Sequence, residues 1–339
     1  MEKIKIAQIG VTHEHASGKF ISLQKLPDIY EIAGYVNDLG STTTPCYVDK
    51  LHDCFKKYPE LTLEEVFNDP DIKAVTVEVP NNELVPMALK CAEKGIAMHM
   101  DKPAGLDLEL YKKLLDICKE KNLPFQMGFM FRGNPAFQFC IRAIREKLIG
   151  EVFEIETDMN HCYGGEKYQT YIGKFTGGIM FNLGCHLIDF VISAMGRPEN
   201  VTPFPGTAPG YPSGIKNNCT AILEYPNAHV VLRACSKDVC NTPGRSMKIC
   251  GTLGTIRFSP LERFDGREIE INLTLSQDSA LYPKGSHTLR FPAQQDRYTA
   301  QLSELAAMIR GEMQSRWSFE HDYLVHEITL AASGYIPWK

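Results

Sequence analysis

No apolar stretch in these 339 residues approaches the 18 or so needed to cross a bilayer, so no membrane role is expected. Nor is there a long basic run: 36 Lys and Arg against 41 Asp and Glu give a net charge of −5. Phosphate backbones are bound by clustered cations, so nucleic acid is not the expected partner either, and a small molecule is. No pair of C-x-x-C motifs is present, and the 11 cysteines are scattered mostly through apolar segments such as those around Cys91, Cys118 and Cys140. Both features suit reduced thiols and a cytoplasmic location. The opening Met1-Glu-Lys-Ile-Lys-Ile goes directly into a strand pattern, without the basic and apolar regions of a signal peptide, which suits the same compartment. A chain of this length exceeds the usual reach of one hydrophobic core, so two domains are expected.

The first third alternates short β-type runs with amphipathic helical patterns. Strands are predicted over 4–9, 32–36, 74–79, 96–100 and 125–128, with helices ending near Leu26 and spanning about 84–93 and 108–121. That alternation predicts a doubly wound parallel sheet, a Rossmann domain, over residues 1–127. Ligands of such sheets lie beyond the C-terminal strand ends, which here carry Gly10 to His15, Asn37 and Asp38, Pro80 and Asn81, and Asp101 to Pro103. Residues 128–339 read as an α+β domain. A helix near 136–147 precedes β-type runs at 152–157, 219–225, 229–235, 246–250, 255–258 and 269–275, and a helical tail covers about 296–333. The hairpin-length gaps predict a mostly antiparallel sheet of about five or six strands, with 202–218 as one long irregular loop. An open sheet face needs a cover, so a homodimer or homotetramer through it is expected.

Three places carry candidate chemistry. "IAQIGVTHEHASG" supplies only the first glycine of G-x-G-x-x-G, Gly10, with Thr12 and His15 at the other two places. Thr12 and His13 still offer backbone N–H groups to a pyrophosphate, while a plain β-to-α turn remains the alternative. Asn37 and Asp38 stand where a dinucleotide fold places its ribose-binding acid, and an aspartate there favours NAD over NADP; a loop-starting Asn-Asp turn is the alternative. Lys102 directly follows a buried strand, where lysines are rare without a task. It serves either a substrate hydroxyl or an ion pair with Asp101 or Asp189. In "GGIMFNLGCHLIDF", spacings of four and three place Asn182, His186 and Asp189 on one stripe of a helix.

Together these stretches resemble the Gfo/Idh/MocA oxidoreductases nearly end to end. The family's Glu-Lys-Pro motif stands here as Asp101-Lys102-Pro103, and its Thr-Pro-Asn turn as Val79-Pro80-Asn81. Its D-x-G-x-H-x-x-D motif stands as Asn182-Leu-Gly-Cys-His186-Leu-Ile-Asp189 after Gly177 and Gly178, "GTLGTIRF" resembles its glycine-containing hairpin, and "FEHDYLVHEITLAASG" its closing helix. The resemblance implies a nucleotide-binding domain joined to a domain with an open antiparallel sheet, and hydride transfer between a nicotinamide and a hydroxyl-bearing carbon of a sugar or polyol. It implies that Lys102 orients the substrate hydroxyl, that His186 is the general acid/base, and that Asp189 touches substrate or a site residue. It also assigns Gly10, Thr12, His13, Asn37, Asp38, Pro80, Asn81, Asp101 and Lys102 to the cofactor.

Asn182 departs from the family's first aspartate, and an amide carries no charge with which to stabilise an imidazolium. Two alternatives therefore stand beside the dehydrogenase: a lyase, hydrolase or epimerase using transient oxidation, and a nucleotide-sensing protein without chemistry. His161, Tyr163 and Lys174 are candidate substrate contacts. No metal centre is expected, because the neighbouring pairs His161-Cys162 and Cys185-His186 point apart on regular elements.

Overall fold

The computed structural model describes residues 2–41, 48–162 and 165–339. Two compact units divide the chain, Met1–Phe129 with Asp296–Tyr323 and Met130–Gln295 with Leu324–Lys339. No helix among the described residues is long and apolar enough to cross a membrane.

In the first unit the elements run β1 (Ile4–Ile9), α1 (Ala16–Gln24), β2 (Tyr30–Val36), β3 (Glu60–Leu61), α2 (Leu63–Asn68), β4 (Ile72–Val77), α3 (Leu84–Glu93), β5 (Ala97–Met100), α4 (Leu108–Glu120) and β6 (Phe125–Met127). Their sheet has the order β3-β2-β1-β4-β5-β6. Every pairing in it is parallel. The inner strands β1, β4 and β5 are almost wholly buried, which is why they read as apolar runs rather than alternating ones. Helix starts are written locally: Thr62 and Glu65 form a capping box on α2, and the Asp107 side chain accepts the Leu110 N–H on α4.

The second unit contains α5 (Pro135–Arg145), β7 (Val152–Asn160), α6 (Gly165–Ile172), a π-helical turn (Met180–Gly184) that runs into α7 (Cys185–Met195), and strands β8 (Asn200–Gly206), β9 (Asn218–Tyr225), β10 (Ala228–Cys235), β11 (Ser246–Gly251), β12 (Gly254–Phe258), β13 (Ile269–Leu275) and β14 (Gly285–Phe291). The eight-stranded sheet has the order β14-β13-β12-β11-β7-β10-β9-β8, antiparallel except where β7 meets β10. On β13, Ile269, Ile271, Leu273 and Leu275 point inward, and Glu270, Asn272 and Thr274 outward. Phe137 of α5 packs edge-to-face on Phe190 of α7 and on Phe258 of β12, tying helices to sheet.

Two expectations need correction. The second sheet has eight strands rather than five or six, and both additions, β8 and β14, are edges. β8 carries Pro203 and Pro205 and takes up part of the presumed irregular loop; an edge strand tolerates proline because one side of its backbone has no ladder partner. The chain also returns: residues 296–323 belong to the first unit, not to a continuous second domain over 128–339. After α8 (Thr299–Ile309) comes α9 (Phe319–Ala332), and α8 places Leu302 and Ala306 in one apolar cluster with Phe20, Tyr30 and Ala97. Tyr30 Oη donates to Leu302 O at 2.6 Å. The outward face of the second sheet carries the cross-strand ion pairs Lys248–Glu154, Arg233–Asp158 and Arg290–Glu270.

Candidate functional site

Gly10 ends β1 with φ +97, and a Cβ there would lie 2.5 Å from Glu78 O, so the turn admits no side chain at this point. The amides of Val11 and Thr12 donate to Asp38 Oδ1 at 2.8 and 3.1 Å, and Thr12 Oγ1 donates to Asp38 Oδ2 at 2.6 Å. Asp38 is thereby fixed against the turn. Asn37 faces elsewhere: its Nδ2 donates to Glu60 Oε2 at 3.3 Å and its Oδ1 accepts the Leu39 N–H. Beside the turn a cavity of about 250 Å³ is lined by Val11, His13, Glu14, Ser17 and Lys50 among others.

Below the turn lies a buried charged cluster that the sequence pattern did not reveal. His13 Nδ1 stands 2.9 Å and His15 Nδ1 2.7 Å from the same oxygen, Asp101 Oδ2. His13 Nε2 lies 2.8 Å from Asn81 Oδ1. Lys19, wholly buried on α1, places its Nζ 3.1 Å from Glu78 Oε1, 3.0 Å from His99 Nδ1 and 4.2 Å from the centre of the Tyr298 ring. Burial pushes the pKa of His15 down to about 4 and that of His99 to about 3, Asp101 opposing in both cases. At His13 burial also works against the charged form, but Asp101, by charge and hydrogen bond, with Glu78, leaves its pKa above the ordinary value. Burial opposes ionisation of Asp101 too, yet His15 and His13 hold it well below the usual carboxylate range. Burial raises Glu78 to about 7 against the attraction of Lys19.

Lys102 is buried, and its backbone N–H donates to Asp101 Oδ1 at 2.8 Å, which fixes the direction of the strand exit. Pro80, at the end of β4, accepts the Glu83 N–H at 2.7 Å and so shapes the loop that presents Asn81.

In the second unit Gly177 and Gly178 open the motif segment because Gly178 has φ +50 and a Cβ on it would overlap Lys216 O. The helix that follows is not uniformly α: the π-helical turn Met180–Gly184 contains Asn182, and α7 contains His186 and Asp189. Such a turn breaks the 3.6-residue stripe that spacing alone predicts. The three side chains accordingly meet different partners. Asn182 Nδ2 donates to Tyr168 Oη at 2.9 Å, and Tyr168 Oη lies 3.2 Å from His161 Nε2. Asp189 receives Arg132 Nε at 3.1 Å and Nη2 at 2.6 Å, with both partners buried. His186 sets its ring edge-to-face with Phe131, the centroids 5.9 Å apart. Of the other candidates, Lys174 is exposed after α6, and Tyr163 lies outside the described residues. Arg132 and Tyr168 were not singled out by sequence reasoning; an arginine in the turn before α5 and a tyrosine on an amphipathic helix carry no distinctive local signal.

Residues 6–129 match a family model described as an oxidoreductase family with an NAD-binding Rossmann fold, and residues 137–257 match the Gfo/Idh/MocA C-terminal domain. Together they take in well over half of the chain. The uncharacterized oxidoreductase YhhX of Escherichia coli is 31% identical over 41% of this chain and 40% of its own length. The trans-1,2-dihydrobenzene-1,2-diol dehydrogenase of Xenopus tropicalis is 24% identical over 62% of each chain. Among solved structures, a levoglucosan dehydrogenase in complex with NADH and levoglucosan superposes with a TM-score of 0.77 over 98% of this chain and 97% of its own, at 17% identity. At that identity the likeness is one of fold.

Proposed function

The chain belongs to the Gfo/Idh/MocA oxidoreductase family and carries its NAD-binding Rossmann domain, and from that premise we propose that it is an NAD-dependent dehydrogenase acting on a hydroxyl carbon of a sugar, polyol or related small molecule. The observation that carries this reading is the retention of Lys102 directly after β5 and His186 on α7, both buried. The likeness to the dihydrodiol dehydrogenase supports a hydroxylated substrate.

The residues at the turn fit the dinucleotide. The adjacent cavity, lined by Val11, His13, Glu14 and Ser17 among others, gives room beside the turn, while the Thr12 and His13 amides expected to meet a pyrophosphate are already given to Asp38 and to Glu78 O. The Asp38 carboxylate accepts hydrogen bonds from ribose hydroxyls and repels a 2′-phosphate, which favours NAD over NADP. When bound, the nicotinamide supplies hydride transfer at its C4. The protein's own residues do the rest: the Lys102 ammonium orients the substrate hydroxyl and stabilises the developing alkoxide, and His186 takes or returns the hydroxyl proton. The Arg132–Asp189 pair holds α7 against the turn before α5 and so positions the helix that bears His186.

Asn182 carries no charge, and its amide orders Tyr168 by donating to the phenol oxygen. The test is a panel of sugars and polyols with NAD⁺, followed at the nicotinamide absorbance band, with wild type and Asn182→Asp side by side. Wild type is expected to give net reduction with at least one member. Asn182→Asp is expected to be slower by about tenfold, because a carboxylate cannot donate to Tyr168 Oη and instead takes its proton in a reversed hydrogen bond, turning it away from His161. A wild type that binds NADH yet turns over no member of the panel contradicts the reading. A faster Asn182→Asp would show that a family carboxylate had merely been lost.

A further inference from the structure

His13, His15 and Asp101 bring three donor atoms within 4.8 Å of one another in the first unit. His13 Nδ1 and His15 Nδ1 both converge on Asp101 Oδ2, at 2.9 and 2.7 Å. The atoms facing away are held as well. His13 Nε2 meets Asn81 Oδ1 at 2.8 Å, and Asp101 Oδ1 accepts the Lys102 N–H at 2.8 Å. An imidazole whose far nitrogen donates to a carbonyl oxygen presents a lone pair on the near one, and that outer hydrogen bond is the usual support of a metal-bound histidine. The His15 N–H lies 3.2 Å from His13 Nδ1. A positive centre joins that nitrogen to the carboxylate oxygen 2.9 Å away, a proton when no ion is bound, and an ion can take that proton's place.

We propose that His13, His15 and Asp101 bind a divalent transition-metal ion. Two imidazoles and one carboxylate are the facial set that leaves coordination positions open. The two imidazole–carboxylate separations, 2.7 and 2.9 Å, subtend about 80–90° at an ion about 2.1 Å away, whereas tetrahedral donors would stand about 3.4 Å apart. The spacing therefore favours a six-coordinate ion of the iron, manganese or cobalt kind over tetrahedral zinc. Charge agrees: Glu78 Oε2 lies 3.8 Å from His13 Nδ1 and Glu14 Oε1 3.7 Å from His15 Nε2, so two further carboxylates add negative potential, one of them shared with Lys19. The pairs weighed from sequence were neighbours in the chain. Asp101 lies far along it from His15, so this set becomes visible only when β1 and β5 share a sheet. The site does not rest on the dehydrogenase reading.

The experiment uses the full chain, stripped with EDTA and titrated with Co²⁺, with bound metal measured by equilibrium dialysis and elemental analysis. One Co²⁺ per chain is expected, with the weak visible bands of a six-coordinate ion. His15→Ala, at the partly exposed member of the set, is expected to lose at least tenfold in affinity, and Asn81→Ala about 10- to 100-fold through loss of the outer support. Far-ultraviolet circular dichroism checks that each variant is folded, and Asn81→Ala stands in should His15→Ala fail that check. Absence of bound Co²⁺ in wild type overturns the proposal and leaves a proton on His13 Nδ1 as the positive centre. So does binding that both variants leave unchanged. Intense near-ultraviolet thiolate bands would overturn it too, by assigning the metal to exposed Cys162 or Cys240.

Discussion

Replacing His186 by alanine is expected to lower kcat/KM by on the order of 10² to 10⁴-fold, the range that a positioned general acid/base contributes. An imidazole can both accept and return a proton, which is the task given to it here. The ring is fixed, because it is buried on α7 and its face is set by the edge of Phe131. Losing it removes the proton acceptor without touching the turn at Gly10, so NADH affinity is expected to stay at the wild-type value. Lys102→Ala should lower kcat/KM alike, since the alkoxide loses its cation. Steady-state rates with the best substrate of the sugar and polyol panel, beside NADH titrations of the same preparations, measure both quantities. Wild-type turnover in either variant would refute the roles given to these two residues.

The second large effect concerns stability. Arg132→Ala is expected to cost about 3–5 kcal/mol, because it leaves the Asp189 carboxylate buried without its guanidinium. The pair is an Arg fork against one carboxylate, three contacts at 2.6, 3.1 and 3.2 Å. Changing both partners together, as Arg132→Met with Asp189→Leu, should recover most of the loss, since an apolar pair of similar volume leaves no charge to desolvate. Equilibrium urea unfolding of the three proteins reads this out. A loss below about 1 kcal/mol in Arg132→Ala would place the pair among solvent-screened surface bridges and remove its claim to position α7.

Much of the fold was legible because it rests on local patterns. Buried parallel strands such as β1 and β4 announce themselves as apolar runs, and β13 by strict alternation. The strands that escaped are edges, where proline is tolerated on β8 and every second residue of β14 faces water. The helical pattern of α8 was plain, but nothing local says which core a helix will join; Tyr30, distant in sequence, decides it. The candidate site divides along the same line. Gly10, Asp38 and Lys102 follow strand ends and are found by position, and the glycines before Asn182 by their place in the family's motif, the close approach at Lys216 giving the physical reason for them. Arg132, Tyr168 and the His13–Asp101–His15 cluster are tertiary pairings, and no spacing encodes them. The π-helical turn at Met180–Gly184 was equally invisible, since it re-aims Asn182 without changing the apolar composition around it.

Titration of the full chain with NADH and with NADPH, followed by nicotinamide fluorescence and calorimetry, addresses the central claim most directly. Saturable binding of NADH is predicted, tighter than that of NADPH because Asp38 disfavours a 2′-phosphate. Failure of both to bind would contradict it.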